Sequence, residues 1–189
     1  MKSVLTTRNI SLAMLLATAL FAFVFVIPNA RLAKRVFDAP PQNPYLSYVR
    51  YDELPYQPLE LRGTTTTEGK RFFDQGMRGY MRKDYATAIK NLKLAVQSEP
   101  QAQWWLYLGV SHFMNHESTP AIRALEMADT LSSPFLKTTV RWYLAQAYLV
   151  EQKGDRAKPL LESVVASKSA RSASADSLLV HIRSVTVQK

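Results

Sequence analysis

The chain has 189 residues, of which 47% are hydrophobic, and its 24 Lys and Arg outnumber its 15 Asp and Glu to give a net charge of +9. This length and composition accommodate one modest domain together with a membrane segment. Cysteine is absent, which excludes disulfides, thiolate metal sites and cysteine-based catalysis.

A short N-terminal tail, residues 1–9, precedes an uninterrupted apolar run of 18 residues at 10–27. A run of this length is just sufficient to cross the hydrocarbon core of a membrane as a helix. The competing interpretation is a cleaved secretory signal, but Pro28 lies where a cleavage after Ala30 requires a small residue. We therefore predict a single transmembrane helix at 10–27, in contact with membrane lipid.

Basic residues flank this run on both sides, so the positive-inside rule does not decide its orientation: Lys2 and Arg8 before it, and Arg31, Lys34 and Arg35 after it. A very short N-terminal tail often stays in the cytoplasm. We therefore expect a single-pass membrane protein whose remaining chain lies outside the cytoplasm, in the periplasm.

Residues 28–67 are predicted to form a tether rich in proline and tyrosine. Five prolines between residues 40 and 58 prevent a continuous helix and favour extended chain: Pro40, Pro41, Pro44, Pro55 and Pro58. A solvated spacer is poor in aromatic residues, whereas this segment contains Tyr45, Tyr48, Tyr51 and Tyr56. We expect the tether to lie either against its own repeats or against a membrane neighbour.

From residue 68 onward, small and apolar residues recur at a fixed spacing. The first set is Gly76, Ala88, Leu92 and Ala95. The same types return 33 residues later as Gly109, Ala121, Leu125 and Ala128, and a further 36 residues later as Ala145, Ala157, Leu161 and Val164. Periods of this length are typical of stacked helical hairpins, so we predict three hairpins over residues 68–167.

These recurring residues resemble the tetratricopeptide repeat, together with the aromatic residues Phe72, Trp105 and Trp142 and with Pro100 and Pro134 near the hairpin ends. The resemblance covers about half of the chain, and three copies in register make it specific. It implies an α-solenoid that binds protein segments in a concave groove. The sequence departs from the family at two turns, where Arg82-Lys83 and Asn115-His116 replace a common turn glycine.

The last segment, residues 168–189, is predicted to contain a linker and a capping helix. Four apolar residues, Leu178, Leu179, Ile182 and Val185, follow helical spacing and predict a helix from about 174 to 186. A frayed tail is the alternative, because residues 166–177 are rich in Ser and Ala. The predicted fold class is therefore all-α: a transmembrane helix, an extended tether, and a three-repeat solenoid with a C-terminal cap.

The resemblance implies a partner-binding groove lined by apolar side chains from all three repeats: Phe73, Met77, Tyr80, Met81, Leu106, Val110, Phe113, Met114, Trp142 and Leu149. Methionine adapts well to a partner surface, and large exposed apolar patches mark contact sites. Two alternatives stay open. The short repeats bury these residues as ordinary core, or the tether fills the groove in cis.

Catalytic, metal and cofactor motifs are not recognisable in the sequence. His112, His116 and Glu117 lack the interposed glutamate of the zinc motif, and there is no phosphate-binding loop. We predict a membrane-anchored protein-protein interaction module without enzymatic activity or cofactor, an accessory or assembly subunit of a larger membrane complex that does not bind nucleic acid. The alternative is a basic module for nucleic acid or anionic lipid, whose binding would fall steeply with salt.

Overall fold

The computed structural model describes residues 43–56 and 67–187. Within these two ranges, none of the helices has the length and apolar character that a membrane crossing requires. The transmembrane helix predicted at 10–27 and the tether residues 28–42 and 57–66 lie outside the described residues.

The described residues form seven helices and no strand. The helices are α1 (Glu68–Met81), α2 (Tyr85–Ser98), α3 (Ala102–Met114), α4 (Ser118–Leu131), α5 (Pro134–Val150), α6 (Gly154–Ala166) and α7 (Ser172–Val187). Each helix packs on the next one in sequence, so α1–α2, α3–α4 and α5–α6 are three stacked hairpins. The predicted all-α solenoid is confirmed for this part of the chain.

Local sequence signals explain where the helices begin. The hydroxyl oxygen of Thr67 accepts a hydrogen bond from the amide of Lys70 at 3.1 Å, and the carboxylate of Asp84 accepts one from the amide of Thr87 at the same distance. Each bond satisfies an amide that lacks a partner within its helix. Pro134 occupies the first turn of α5, where a missing amide donor costs nothing.

The hairpin turns have a repeating backbone conformation without glycine. Lys83, His116 and Gln152 all adopt a positive φ, at 61°, 60° and 58°. They follow the same spacing of 33 and 36 residues as the small residues, so the two departures from the family pattern do not break the register. A side chain in this left-handed conformation costs about 1–2 kcal/mol, which packing elsewhere offsets.

In the first two hairpins, the seam between the helices is a contact between a glycine and a leucine. A Cβ atom added at Gly76 would lie 2.7 Å from Cγ of Leu92, and one at Gly109 would lie 2.5 Å from Cγ of Leu125. Because such distances are below van der Waals contact, a side chain at either glycine would force the facing leucine or the helices to shift. The sequence-based prediction that small residues bring the two helices of a hairpin together is confirmed.

The predicted C-terminal helix is also confirmed, as α7. Its residues Leu178, Leu179 and Ile182 are buried, and α7 packs on α6. This helix covers the apolar end that a stack of hairpins would otherwise expose.

Candidate binding groove

Residues 43–56, which we call the docked segment, lie on the first helices of the three hairpins. They contain a turn at residues 44–48 and neither helix nor strand. Their contacts reach α1, α3 and α5 as well as α7, and we call the contact surface on α1, α3 and α5 the docking groove. For residues 43–56, the open alternatives for the tether are therefore resolved: this part of it occupies the groove in cis.

Three tyrosine hydroxyls, one from each first helix, bind the main chain of the docked segment. Tyr143 donates to the carbonyl of Asp52 at 3.0 Å, and Tyr107 donates to the carbonyl of Pro55 at 3.1 Å. Tyr80 makes two bonds to Leu54: its hydroxyl donates to the carbonyl at 3.0 Å and accepts from the amide at 2.7 Å. The groove thus satisfies polar groups that a segment without regular structure cannot pair internally.

Burial keeps these hydroxyls protonated. It raises the pKa of Tyr107 to about 12 and also raises the pKa of Tyr80 and of Tyr143. In Tyr143 the nearby Arg171 guanidinium opposes this effect without cancelling it. A phenol that stays protonated remains a hydrogen-bond donor, so these three hydroxyls keep their donor role at physiological pH.

Two aromatic side chains of the docked segment contact aromatic residues of the groove. The ring of Tyr51 stacks on Phe113 with centroids 4.6 Å apart and an interplanar angle of 17°. The ring of Tyr56 meets Phe73 edge to face at 6.0 Å and Tyr107 at 5.5 Å. Aromatic pairs with such geometry contribute about 0.5–1.5 kcal/mol beyond the area they bury.

One acidic side chain of the docked segment is bound between two groups of the first repeat. The carboxylate of Glu53 lies 3.4 Å from Nζ of Lys83 and accepts a hydrogen bond from the hydroxyl of Tyr85. Burial and this bond raise the pKa of Tyr85 to about 12. Because the Lys83 side chain is 71% exposed, the ion pair itself is weak, and pairs of this kind contribute about 0.2–1 kcal/mol.

The first half of the docked segment, residues 43–50, binds the third hairpin and α7. The side-chain amide of Asn43 donates to the carbonyls of Leu149 and Val150 at 2.9 and 2.8 Å, the last two carbonyls of α5. The amide of Arg50 donates to Oε1 of Gln146 at 2.7 Å. Tyr45 is buried against Gly154, where an added Cβ would lie 2.7 Å from the tyrosine oxygen.

Helix α7 closes over this first half. His181 stacks on Tyr48 with centroids 3.4 Å apart, and its Nε2 lies 3.2 Å from the carbonyl oxygen of Pro44. A cavity of about 330 Å³ lies between the two elements, lined among others by Arg50, Trp142 and Ser174. The C-terminal helix therefore has a second role besides covering the end of the stack, because it also holds the docked segment.

The ten residues predicted to line a partner-binding groove differ in their surroundings. Eight of them are buried: Phe73, Met77, Tyr80, Leu106, Val110, Phe113, Trp142 and Leu149. Met114 is half-buried and Met81 is 50% exposed. Phe73, Tyr80 and Phe113 contact the docked segment directly, so the structure brings these three together beneath it, and partner binding by the set stays a prediction.

Sequence reasoning missed the groove residues that bind the main chain through polar atoms, Tyr107, Tyr143 and Gln146. A signal for two of them exists, since Tyr107 and Tyr143 are 36 residues apart, as are Gly109 and Ala145. They therefore occupy equivalent positions in consecutive repeats. The first repeat has Asp74 at this position, and Tyr80 supplies the hydroxyl from elsewhere on α1.

The histidines that the sequence analysis considered for metal binding have other surroundings. Nδ1 of the buried His112 lies 2.5 Å from Oε2 of Glu117, whose amide donates back to the His112 carbonyl at 2.9 Å. This reciprocal pair closes the turn between α3 and α4. His116 is exposed in the same turn and its ring lies 4.8 Å from that of Tyr51. Among the described residues, no group of three or more potential ligands for a metal ion is present.

Neither a family model nor a curated protein matches the chain. Eight chains of solved structures match it. One belongs to a structure described as the CopN-Scc3 complex, is 19% identical in sequence, and gives a TM-score of 0.49 over 78% of this chain and 88% of that chain. A likeness at this level does not tell what this chain binds.

Proposed function

We propose that this protein is a protein-protein interaction module that recognises non-helical polypeptide segments in its docking groove. The observation that carries the proposal is the set of hydroxyls from Tyr80, Tyr107 and Tyr143, all bonded to main-chain groups of residues 52–55. Groups that bind the main chain recognise the conformation of a segment, whatever its side chains. The groove therefore has the chemistry to hold a polypeptide segment in trans as well as in cis.

The free energies that the individual contacts contribute are small enough to allow both binding and release of a segment. Each of the main-chain hydrogen bonds contributes about 1 kcal/mol net, because water competes for the same groups. The stacked and edge-to-face aromatic contacts add to this, and the exposed ion pair with Lys83 adds little. A handful of such contacts holds a covalently attached segment firmly, yet a partner that offers additional surface can compete with it.

We further propose that the module is membrane-anchored through residues 10–27 and is an accessory or assembly subunit of a larger membrane complex. The uninterrupted apolar run supports the anchor, and the proposal includes a solenoid that lies outside the cytoplasm. The protein acts by binding, without enzymatic activity, cofactor or nucleic acid. Burial of a partner segment supplies the free energy of association.

Membrane anchoring has a direct test. Membranes from cells that produce the full chain are washed with alkaline carbonate, and the chain is followed by immunoblot. We expect it to stay in the pellet at its full length. A shortened chain that begins near Arg31 and appears in the soluble fraction would refute the anchor.

Partner binding is tested by purifying the tagged full chain in mild detergent and comparing two charge-reversal variants. Lys83→Glu places a negative charge beside Glu53 in the groove. Lys168→Glu is the matched control, because Lys168 is also an exposed lysine with a positive φ and lies in the turn between α6 and α7. We expect a stoichiometric partner whose recovery changes with Lys83→Glu and not with Lys168→Glu. A chain that purifies alone would contradict the proposal, and a partner unaffected by both changes would exclude the region around Lys83 as its binding site.

A further inference from the structure

We infer that residues 51–56 are an exchangeable internal ligand, and that the groove accepts partner segments of the same chemistry. That chemistry is an aromatic residue, any residue, an acid, an apolar residue, a proline and a second aromatic residue, as in Tyr51 to Tyr56. The inference rests on the proposed function and adds two things to it: the class of partner, and a competition with the chain's own segment.

The docked segment has exposed residues in both halves, but its one buried side chain belongs to the first half. In residues 43–50, Tyr45 is buried and Asn43 binds the last carbonyls of α5. In residues 51–56, every residue is half-buried or exposed, whereas Phe73, Tyr80, Tyr107 and Phe113 beneath them are buried. The second half therefore covers the groove from outside. Its departure would leave the helical core in place and uncover aromatic rings together with three hydroxyl groups.

The contacts of each residue from 51 to 56 indicate which kind of residue the groove accepts at that position. The aromatic rings at 51 and 56 meet Phe113 and Phe73, and the acid at 53 meets Lys83 and Tyr85. Asp52 is exposed and contributes a main-chain carbonyl, so its side chain is free to vary. The side chain of Leu54 packs against the core, so an apolar residue is favoured at position 54.

Proline suits position 55 of a bound segment for two physical reasons. The groove binds the carbonyl of Pro55 through Tyr107, and proline has no amide donor that would be left without a partner at this position. Proline also disfavours a helical conformation in the residue before it, so Leu54 is already prepared for its two bonds to Tyr80. A partner segment with proline here loses less conformational freedom when it binds.

Competition with the internal ligand sets a threshold for binding. A segment attached through a short linker has an effective concentration in the range of about 1 mM, so a free peptide of the same sequence competes poorly with it. A partner succeeds by contacting additional surface or by being held nearby at the membrane. Weakening the internal ligand should therefore expose the intrinsic affinity of the groove.

The test uses the full chain in detergent micelles and a fluorescent peptide with the sequence of residues 49–56, with binding followed by anisotropy. In the double variant Tyr51→Ala/Tyr56→Ala, we expect the peptide to bind at least about tenfold more tightly than in the unchanged chain, because the aromatic contacts of the competitor are gone. Leu46→Ala, at a residue 49% exposed in the first half, is the matched control and should not change binding. A double variant that retains its helical circular dichroism and shows no gain would overturn the inference.

A second pair of changes keeps the inference falsifiable if the double variant unfolds. Lys83 is exposed, so Lys83→Glu preserves the core, and a peptide carrying Glu53→Lys restores the opposite charge. We expect the Lys83→Glu chain to prefer the Glu53→Lys peptide over the unchanged peptide by about twofold to fivefold, the range that an exposed pair supports. Equal binding of both peptides would contradict the assignment of position 53. Loss of peptide exchange with retained co-purification of a partner would refute this inference alone and leave the proposed function standing.

Discussion

The seam inside the first two hairpins and the docking groove across the first helices are both formed by buried residues, yet they are built on different principles. In the seam, Gly76 meets Leu92 and Gly109 meets Leu125, so one contact is repeated at a spacing of 33 residues. In the groove, Tyr80, Tyr107 and Tyr143 each bind a different main-chain group of a segment that does not repeat. The seam holds the helices together, and the groove is available for recognition because its contacts can be made by another chain.

The largest difference in stability is expected between variants that remove one or the other ring of the Tyr51–Phe113 stack. Phe113→Ala removes a ring that is 1% exposed and should destabilise the fold by about 3–5 kcal/mol, as is usual for a large buried aromatic residue. Tyr51→Ala removes the partner ring on the docked segment and should cost only about 1 kcal/mol. Urea unfolding of the full chain in detergent, followed by circular dichroism, measures both values. Equal costs would mean that the docked segment is as much a part of the core as α3 is.

Two glycine-to-alanine changes compare the seam with the docked segment directly. Gly109→Ala brings a methyl group within 2.5 Å of Leu125 Cγ and should cost about 2–3 kcal/mol by overpacking. Gly154→Ala meets the hydroxyl end of Tyr45 at 2.7 Å and should cost about 1 kcal/mol or less, because the far end of a side chain shifts more easily than a leucine Cγ. The melting temperatures of the two variants order the costs. A larger loss for Gly154→Ala would show that the first half of the segment is held rigidly.

Removing single hydroxyl groups tests whether the groove recognises the main chain. Tyr107→Phe and Tyr143→Phe each leave one carbonyl of the docked segment without its donor and should cost about 1 kcal/mol. Tyr148→Phe is the matched control outside the groove, since its hydroxyl donates to Glu126. Limited proteolysis should cut within residues 51–56 faster in the two groove variants than in the control. Equal rates of proteolysis in all three variants would show that the tyrosine hydroxyls do not hold the main chain of the docked segment.

A smaller effect concerns pH and lies outside the groove. Burial lowers the pKa of His112 from its ordinary value of 6.5, although the bond to Glu117 acts in the opposite direction, and the same bond lowers the pKa of Glu117. Stability is therefore fully present above pH 6.5 and falls as the pH decreases toward the lowered pKa of His112, because only the unfolded chain binds the proton. His112→Gln should flatten this part of the stability profile in denaturant titrations from pH 7 to pH 5. An unchanged slope would contradict the buried neutral histidine.

The difference between seam and groove also explains what the sequence could predict. Small residues such as Ala88 and Ala121 recur because every hairpin solves the same packing problem, so periodicity alone identified the helices and their close approaches. The docking of residues 43–56 occurs once in the chain and depends on bonds between residues far apart in sequence, such as Arg50 with Gln146. Composition indicated only that a tyrosine-rich segment should lie against a surface. Which surface it contacts follows from three-dimensional placement, and no local pattern encodes it.

Hydrogen exchange of individual amides in the full chain tests most directly whether residues 43–56 occupy the groove in cis. The amides of Arg50 and Leu54 donate to Gln146 and Tyr80, so both should exchange at least about tenfold more slowly than in an unstructured peptide. Tyr80→Phe should abolish the protection at Leu54 and preserve it at Arg50. If both amides exchange at the rate of an unstructured peptide, residues 43–56 do not occupy the groove.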